Sequence, residues 1–114
     1  MARGYVPDAG EIVWLQFTPQ VGHEQAGMRP ALVLSPAAYN GKTGLMLCCP
    51  ITSQIKGYPF EVRVTNHPKI TGAILSDQVK SLDWRARKAR RLARIADTSM
   101  AEVRGKLKAL IGVA

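Results

Sequence analysis

Until its last quarter, this chain presents its apolar residues only in short runs, which Gly, Pro and Asn interrupt every few positions. Such segments do not build long helices, but they do build short half-buried strands joined by turns. In residues 11–17, Ile12, Trp14 and Gln16 alternate with Val13, Leu15 and Phe17, the two-residue period of a strand. Residues 18–28 hold a proline, two glycines and no alternation, and read as a long loop. A second strand is predicted at residues 31–34, stopped by Ser35-Pro36. A turn at Asn40-Gly41-Lys42 leads to a third strand at residues 45–49, and a fourth is predicted at residues 61–65. Two shorter strands are expected at residues 72–75 and 78–82.

The tail has a different period. Ser99 and Glu102 have the spacing of a capping box, and Met100, Val103, Leu107, Leu110 and Ile111 then fall on one helical face. Gly105 costs that helix about 1 kcal/mol relative to Ala, and packing of the apolar stripe on the sheet is expected to outweigh it. Residues 84–96 are ambiguous. Ala86, Ala89 and Ala93 favour helix, whereas a chain that has just left a strand and must complete a sheet favours another strand.

A length of 114 residues fits one domain, residues 1–114, with a core thin enough that an oligomeric partner often helps. The 16 Lys and Arg against 8 Asp and Glu give a formal net charge of +8, which favours a polyanionic or acidic partner. A membrane surface ranks lower, because no segment reads as a basic amphipathic anchor with an aromatic apolar face. No apolar run approaches spanning length, and the start of the chain, Met1-Ala2-Arg3-Gly4-Tyr5-Val6-Pro7, is not expected to be a signal peptide. Cys48 and Cys49 are the only cysteines. Adjacent Cα atoms lie about 3.8 Å apart, while disulfides usually need at least about 4.4 Å. The two read as ordinary strand residues pointing to opposite faces in a reducing cytoplasm, and no metal or other cofactor is expected.

Several pieces are distinctive in their order: Gly22-His23-Glu24-Gln25-Ala26-Gly27-Met28-Arg29-Pro30, then Leu34-Ser35-Pro36, Pro50-Ile51-Thr52-Ser53, Lys56-Gly57-Tyr58-Pro59-Phe60-Glu61-Val62, Ser76-Asp77-Gln78-Val79-Lys80-Ser81 and Trp84-Arg85-Ala86-Arg87. Each is weak alone. Together, at compatible spacings and nearly end to end, they closely resemble the MazF/PemK/Kid family of toxin ribonucleases, and MazF most of all. The resemblance implies a mainly β fold, an SH3-like barrel of the MazF/Kid/CcdB type with a C-terminal α-helix, working as a homodimer. It implies metal-independent, sequence-specific cleavage of single-stranded RNA, and neutralisation by an acidic MazE-like antitoxin whose disordered tail covers the RNA groove. It also implies that residues 88–96 are mostly strand.

Metal-free RNA cleavage uses the substrate's own 2′-OH to attack the neighbouring phosphate, leaving a 2′,3′-cyclic phosphate and a 5′-OH. The enzyme must move two protons and stabilise a doubly anionic phosphorane, and fixed positive charge is usually the largest contribution. Arg29, a rigid donor fork fixed by Pro30, is the first candidate; without the family likeness it would read as a plain surface arginine. Thr52 is the second, as a hydroxyl donor, although on residue type alone it is a β-branched residue at a strand end. Glu24 suits a general base and His23 a helper, with exposed loop residues as the plain alternative for both. The Kid-like branch uses a His where His23 stands and an Asp matching Asp77, but it has an Arg where this chain has Leu75. Some MazF-like relatives place a His directly before the catalytic Arg, where this chain has Met28. RNA binding is assigned to Gln25, Ser53, Lys56, Asp77, Gln78 and Lys80, with Asp77 equally suited to capping a turn. His67 reads as inert. Arg85, Arg87, Lys88, Arg90, Arg91 and Arg94 are either a solvated basic face or a secondary track for RNA or antitoxin.

Two rivals differ in kind. A CcdB-like toxin acting on DNA gyrase engages its target with an aromatic near the end of the last helix, and here the chain ends Leu110-Ile111-Gly112-Val113-Ala114. A non-catalytic RNA-binding barrel accounts for the charge but not for Glu24, Arg29 and Thr52 together.

Overall fold

The computed structural model describes residues 4–17, 27–65 and 67–113. Among these residues seven strands and two helices follow in the order β1 (Glu11–Gln16), β2 (Met28–Val33), α1 (Ala37–Thr43), β3 (Leu45–Thr52), β4 (Glu61–Arg63), β5 (Ala73–Leu75), β6 (Lys80–Asp83), β7 (Arg90–Arg94) and α2 (Asp97–Ile111). The strands pair antiparallel in the order β4-β5-β3-β2-β1-β7, with β6 also on β3. Strand β3 has β2 along one edge. Its other edge is shared, β6 taking Leu45 to Cys48 and β5 taking Ile51 and Thr52. The expected mainly β, SH3-like architecture with a C-terminal helix is present. Its sheet is curled rather than closed, because β4 and β7 end the order and do not pair with each other among the described residues.

Period-two alternation divides the apolar residues between two cores. On one face Ile12, Leu32, Cys49, Ile51, Val62, Ile74 and Ala93 pack against Met100 and Val103 of α2. On the other, Val13, Leu15, Ala31, Val33, Met46 and Cys48 pack with Trp84, under Tyr5 and Val6. Cys48 and Cys49 therefore do point to opposite faces, both fully buried as free thiols.

Strand β2 begins at Met28, three residues before the predicted start, because its pairing with β1 continues through Leu15–Arg29 and Gln16–Met28. Residues 40–42 belong to helix α1, not to a turn. Local Asn-Gly propensity is overridden by the burial of Asn40, whose amide donates to the Pro7 and Ser35 carbonyls (2.8 and 2.9 Å) and accepts from the Ser35 hydroxyl (2.6 Å). Gly44, at φ 75°, ends the helix. Residues 84–88 turn, with Lys88 in the left-handed region at φ 57°, and the strand at 90–94 agrees with the family expectation rather than with helix propensity. Helix α2 starts two residues before the proposed capping box: Ala96 is its N-cap, with no side-chain cap, and Ser99 is buried inside. Asp97 in the first turn complements the helix dipole instead. The apolar stripe also ends early, since Leu110 and Ile111 are exposed while Met100 and Val103 are buried.

Asn40 links the amino-terminal segment, the β2–α1 connection and, through its carbonyl, the Trp84 indole N–H at 2.9 Å. Asn40→Ala strands buried polar partners, so it is expected to cost about 2–4 kcal/mol. The midpoint of urea unfolding measures this, and an unchanged midpoint would show the network to be dispensable.

Candidate active site

The site is built from strand ends. In the β1–β2 ladder Arg29 stands opposite Leu15, so its side chain shares the face of the Val13–Leu15–Ala31 core. In the β2–β3 ladder Ala31 is opposite Pro50. Carried two residues further, that register sets Arg29 across from Thr52, on the same face. Both side chains are partly exposed, at the rim where the core gives way to solvent. The segment holding His23, Glu24 and Gln25 lies outside the described residues, but its two ends, Phe17 and Gly27, are joined by a backbone hydrogen bond of 3.0 Å beside Arg29.

Thr52 is held on two sides. Its hydroxyl oxygen accepts the Gln54 N–H at 3.1 Å. A hydroxyl that accepts in this way keeps its own proton to donate elsewhere. Its backbone pairs with Ala73 of β5. The connection that follows carries exposed Ser53 and Lys56 and is tied down by Glu61, whose carboxylate accepts the backbone N–H of Lys56 (3.1 and 3.2 Å) and of Gly57 (2.8 Å). Lys106 of α2 holds the same connection through the Pro59 carbonyl.

Lys80 lies opposite Cys48 on the same face as Arg29 and Thr52, midway along the β3 edge. Arg87 also reaches this side, since its guanidinium donates to the Gln16 carbonyl at 3.2 Å and, like Lys80, it acts electrostatically on Cys48. Residue type alone left Arg87 undistinguished within a basic run; its role as the turn residue clasped to the end of β1 sets it apart. Gln78 and Asp77 lie exposed in the β5–β6 connection, where Asp77 acts electrostatically on the Cys49 thiol. The structure thus brings Arg29, Thr52 and Lys80 to one face.

The rest of the basic run does not form one track. Arg85 stacks over Trp84, 4.7 Å from the ring centroid, and donates to Gly41. Arg91 pairs with Glu11 at 3.2 Å. Arg90 lines an open cavity of about 500 Å³ with Trp14, Pro30, Lys69, Ile70 and Leu92. Trp84 is buried, so it is not available to a partner, whereas Trp14 is partly exposed. His67 is not idle: its Nδ1 accepts the backbone N–H of Lys69 and Ile70. Among the described residues no cluster of three or more His, Cys, Asp or Glu is placed to hold a metal ion, and no helix is long and apolar enough to cross a membrane.

Residues 8–111 match the family described as PemK-like, MazF-like toxin of type II toxin–antitoxin system. The chain belongs to this toxin family. It is 49% identical to the endoribonuclease toxin MazF of Escherichia coli K12 over 112 residues, covering 98% of this chain and 100% of that protein. It is 35% identical to the E. coli endoribonuclease PemK, covering 91% and 81%. The crystal structure of MazF from Deinococcus radiodurans superposes with a TM-score of 0.88 at 62% identity, over 96% of this chain and 100% of that one. A MazE–MazF complex from the same organism gives 0.90 at 61%, over 97% and 100%. The family expectation read from the ordered motifs is thus met, and the CcdB-like and non-catalytic readings lose their ground.

The two thiols of β3 are buried, and their ionisation is set by that burial. Burial, and then their mutual proximity, pushes the Cys48 thiol up to about 12 from an ordinary 9, with Lys80 and Arg87 pulling the other way. Burial, with Asp77 adding to it, pushes Cys49 up to about 12. An acid whose folded pKa is raised stabilises the fold below its unfolded pKa, and that stabilisation is lost as pH rises toward the folded value. Stability is therefore expected to decline from about pH 9 toward about pH 12 through these groups. The Tyr5 phenol, raised by burial and by its hydrogen bond to Glu11, adds to the decline at the upper end. Urea midpoints across that range check this, and a Cys48→Ala/Cys49→Ala variant should show a shallower fall. Native protein should also resist a thiol reagent that labels it readily once unfolded.

Proposed function

We propose that this family member is a single-domain, sequence-specific endoribonuclease toxin, acting in the cytoplasm as a homodimer. It cuts single-stranded RNA without a metal ion, leaves 2′,3′-cyclic phosphate and 5′-OH ends, and is neutralised by an acidic MazE-like antitoxin. The observation that carries the reading is the placement of Arg29 and Thr52, from separate strands, on one face at adjoining strand ends.

In this reading the scissile phosphate rests at the rim between the two residues. The substrate's 2′-OH attacks the phosphorus. Arg29 donates hydrogen bonds through its guanidinium fork to the non-bridging oxygens, and Thr52, its oxygen already engaged by the Gln54 N–H, donates a hydrogen bond from its hydroxyl to the same group while keeping its proton. Glu24 removes the 2′ proton and His23 assists transfer to the leaving 5′ oxygen. Lys80 and Lys56 hold neighbouring phosphates, while Ser53, Gln25, Gln78 and Asp77 meet base edges. The antitoxin's acidic tail exploits the same cations. Its apolar residues add contacts at the Trp14, Ile70 and Leu92 cavity, where Lys69 and Arg90 supply positive charge.

Cleavage in EDTA of an RNA with one 2′-deoxy nucleotide at the scissile position tests the mechanism: the oligonucleotide should bind and stay intact, while its all-ribose counterpart is cut undiminished by the chelator. Cleavage at the substituted position would exclude the 2′-OH as nucleophile. Arg29→Ala should lower kcat by roughly 10²–10³-fold, Thr52→Ala should also be severe, and His23→Ala milder. The reverse ranking of Arg29 and His23 would move the chemistry to acid–base catalysis by the loop.

Grip and chemistry separate in a salt series. Each phosphate neutralised on a single strand contributes about 0.7 to the slope of log affinity against log salt. A Lys56→Ala/Lys80→Ala variant should bind RNA more weakly at low salt and with a shallower slope. A salt-independent affinity in the wild type would contradict phosphate contacts by these lysines.

A further inference from the structure

Thr52 ends β3, and what lies against its backbone is Gly72. A β-carbon at position 72 would stand 2.2 Å from the Thr52 carbonyl oxygen, 3.0 Å from its carbonyl carbon and 3.4 Å from the Ser53 Cα. The obstructing atoms are backbone on both sides, so no side-chain rotation relieves the clash. Gly72 also has φ 136°, a conformation that side-chain-bearing residues rarely adopt. Its own carbonyl accepts the Val64 N–H at 3.0 Å, which fastens it to the far side of the β4–β5 hairpin. The next residue, Ala73, pairs with Thr52, and Ile74 with Ile51. The absent side chain is what lets the hairpin close on the last residue of β3.

We infer that Gly72 is a positioning residue for the reaction: by seating the β4–β5 hairpin against the Thr52 carbonyl, it fixes the direction in which the Thr52 hydroxyl points at the scissile phosphate. This rests on the reading of Thr52 as a phosphate donor. The contact acts on one end of a short span, because the Thr52 oxygen is engaged by Gln54 only two residues on. If the Thr52 carbonyl moves, the peptide that follows rotates with it, and the hydroxyl loses either its Gln54 partner or its aim. Lys80 is tied to a separate anchor, the β6 ladder, and stays in place, whereas Lys56 hangs from Glu61 of the same hairpin and shifts with it. The consequence is graded: RNA is still held through Lys80 with part of its grip lost, while the step that needs the hydroxyl fails.

The test uses the full chain and RNA oligonucleotides with a single phosphorothioate at the scissile position, in each of the two diastereomers. A hydroxyl that donates to one non-bridging oxygen makes the wild type discriminate between them. Gly72→Ala should lower kcat by roughly 10²-fold, the order expected for an ångström-scale misplacement of a catalytic group. KM should rise far less than kcat falls, and the discrimination between diastereomers should collapse. In a Thr52→Ala background the same substitution should add little, since coupled residues are not additive. Gly112→Ala, at another positive-φ glycine with no atom near its β-carbon, gives the effect of backbone strain remote from the site and should leave discrimination intact. If Gly72→Ala fails to fold, Val64→Pro answers in its place: just past the end of outer strand β4 it removes the one N–H that fastens Gly72, together with the packing of the Val64 side chain on the α2-side core. It should weaken discrimination in the same direction. Full discrimination and full kcat in whichever of these variants folds, with Thr52→Ala inactive, overturns the Gly72 role alone. Wild-type behaviour in Thr52→Ala overturns the Thr52 reading and the Gly72 role with it.

Discussion

The rest of the molecule is registered against β3. Its eight residues pair with β2 along one edge and with β6 and then β5 along the other. One strand thus holds both halves of the curled sheet at a fixed offset. Its alternation also sorts the cores, Met46 and Cys48 going to one and Cys49 and Ile51 to the other. A slip of one residue would exchange the two sets and send Thr52 to the helix side, away from Arg29. The burial that fixes the register and the geometry that places the hydroxyl are therefore one constraint. The hydrophobic contribution is large enough to enforce it, because burying a side chain of Leu, Ile or Met size stabilises by about 1.5–3 kcal/mol.

Charge in this protein does several jobs, and the structure separates them. Arg91 pairs with Glu11, Arg85 lies on Trp84, and Arg87 clasps the end of β1. These guanidiniums organise the turn at residues 84–88 and its neighbours. Lys56 and Lys80, both exposed, follow Thr52 in the chain and are held through their backbones. A net charge of +8 says that a polyanion is a suitable partner. It does not say which cations meet it, and here the densest run of Arg in the sequence is dispersed around several elements.

Much of the fold was legible because it follows from alternation. Residues 11–17, 45–49 and 72–75 read as strands, and strands stand there. What local signals missed was decided by long-range partners. Asn40-Gly41 favours a turn, but the Pro7 and Ser35 carbonyls need the Asn40 amide, and a helix delivers it. Residues 86–93 favour helix by composition, but β1 has an open edge that β7 covers. The Ser99 capping pattern was genuine as spacing, yet the chain leaving β7 enters the helix at Ala96 and buries Ser99. For the site, the ordered motifs named Arg29 and Thr52, while only the ladders place them on one face. Gly72 carried no signal at all, since its importance lies in a backbone approach across twenty residues of chain.

The placement of the proposed groups has a physical logic. Stabilising a doubly charged phosphorane requires donors that do not reorganise as charge develops, because reorganisation would consume the stabilisation they offer. Arg29 and Thr52 meet that need by standing at the ends of hydrogen-bonded strands, one braced by the β1 ladder and the other by β5 and the Gln54 N–H. Proton transfer and base reading need a different property, adjustment to substrates of varied sequence, and the groups assigned to them, His23, Glu24 and Gln25, belong to the connection between Phe17 and Gly27. The hydrogen bond joining those two residues sets the base of that connection beside Arg29. Donors braced by the ladders thus stand next to the base of the connection that carries the other proposed groups.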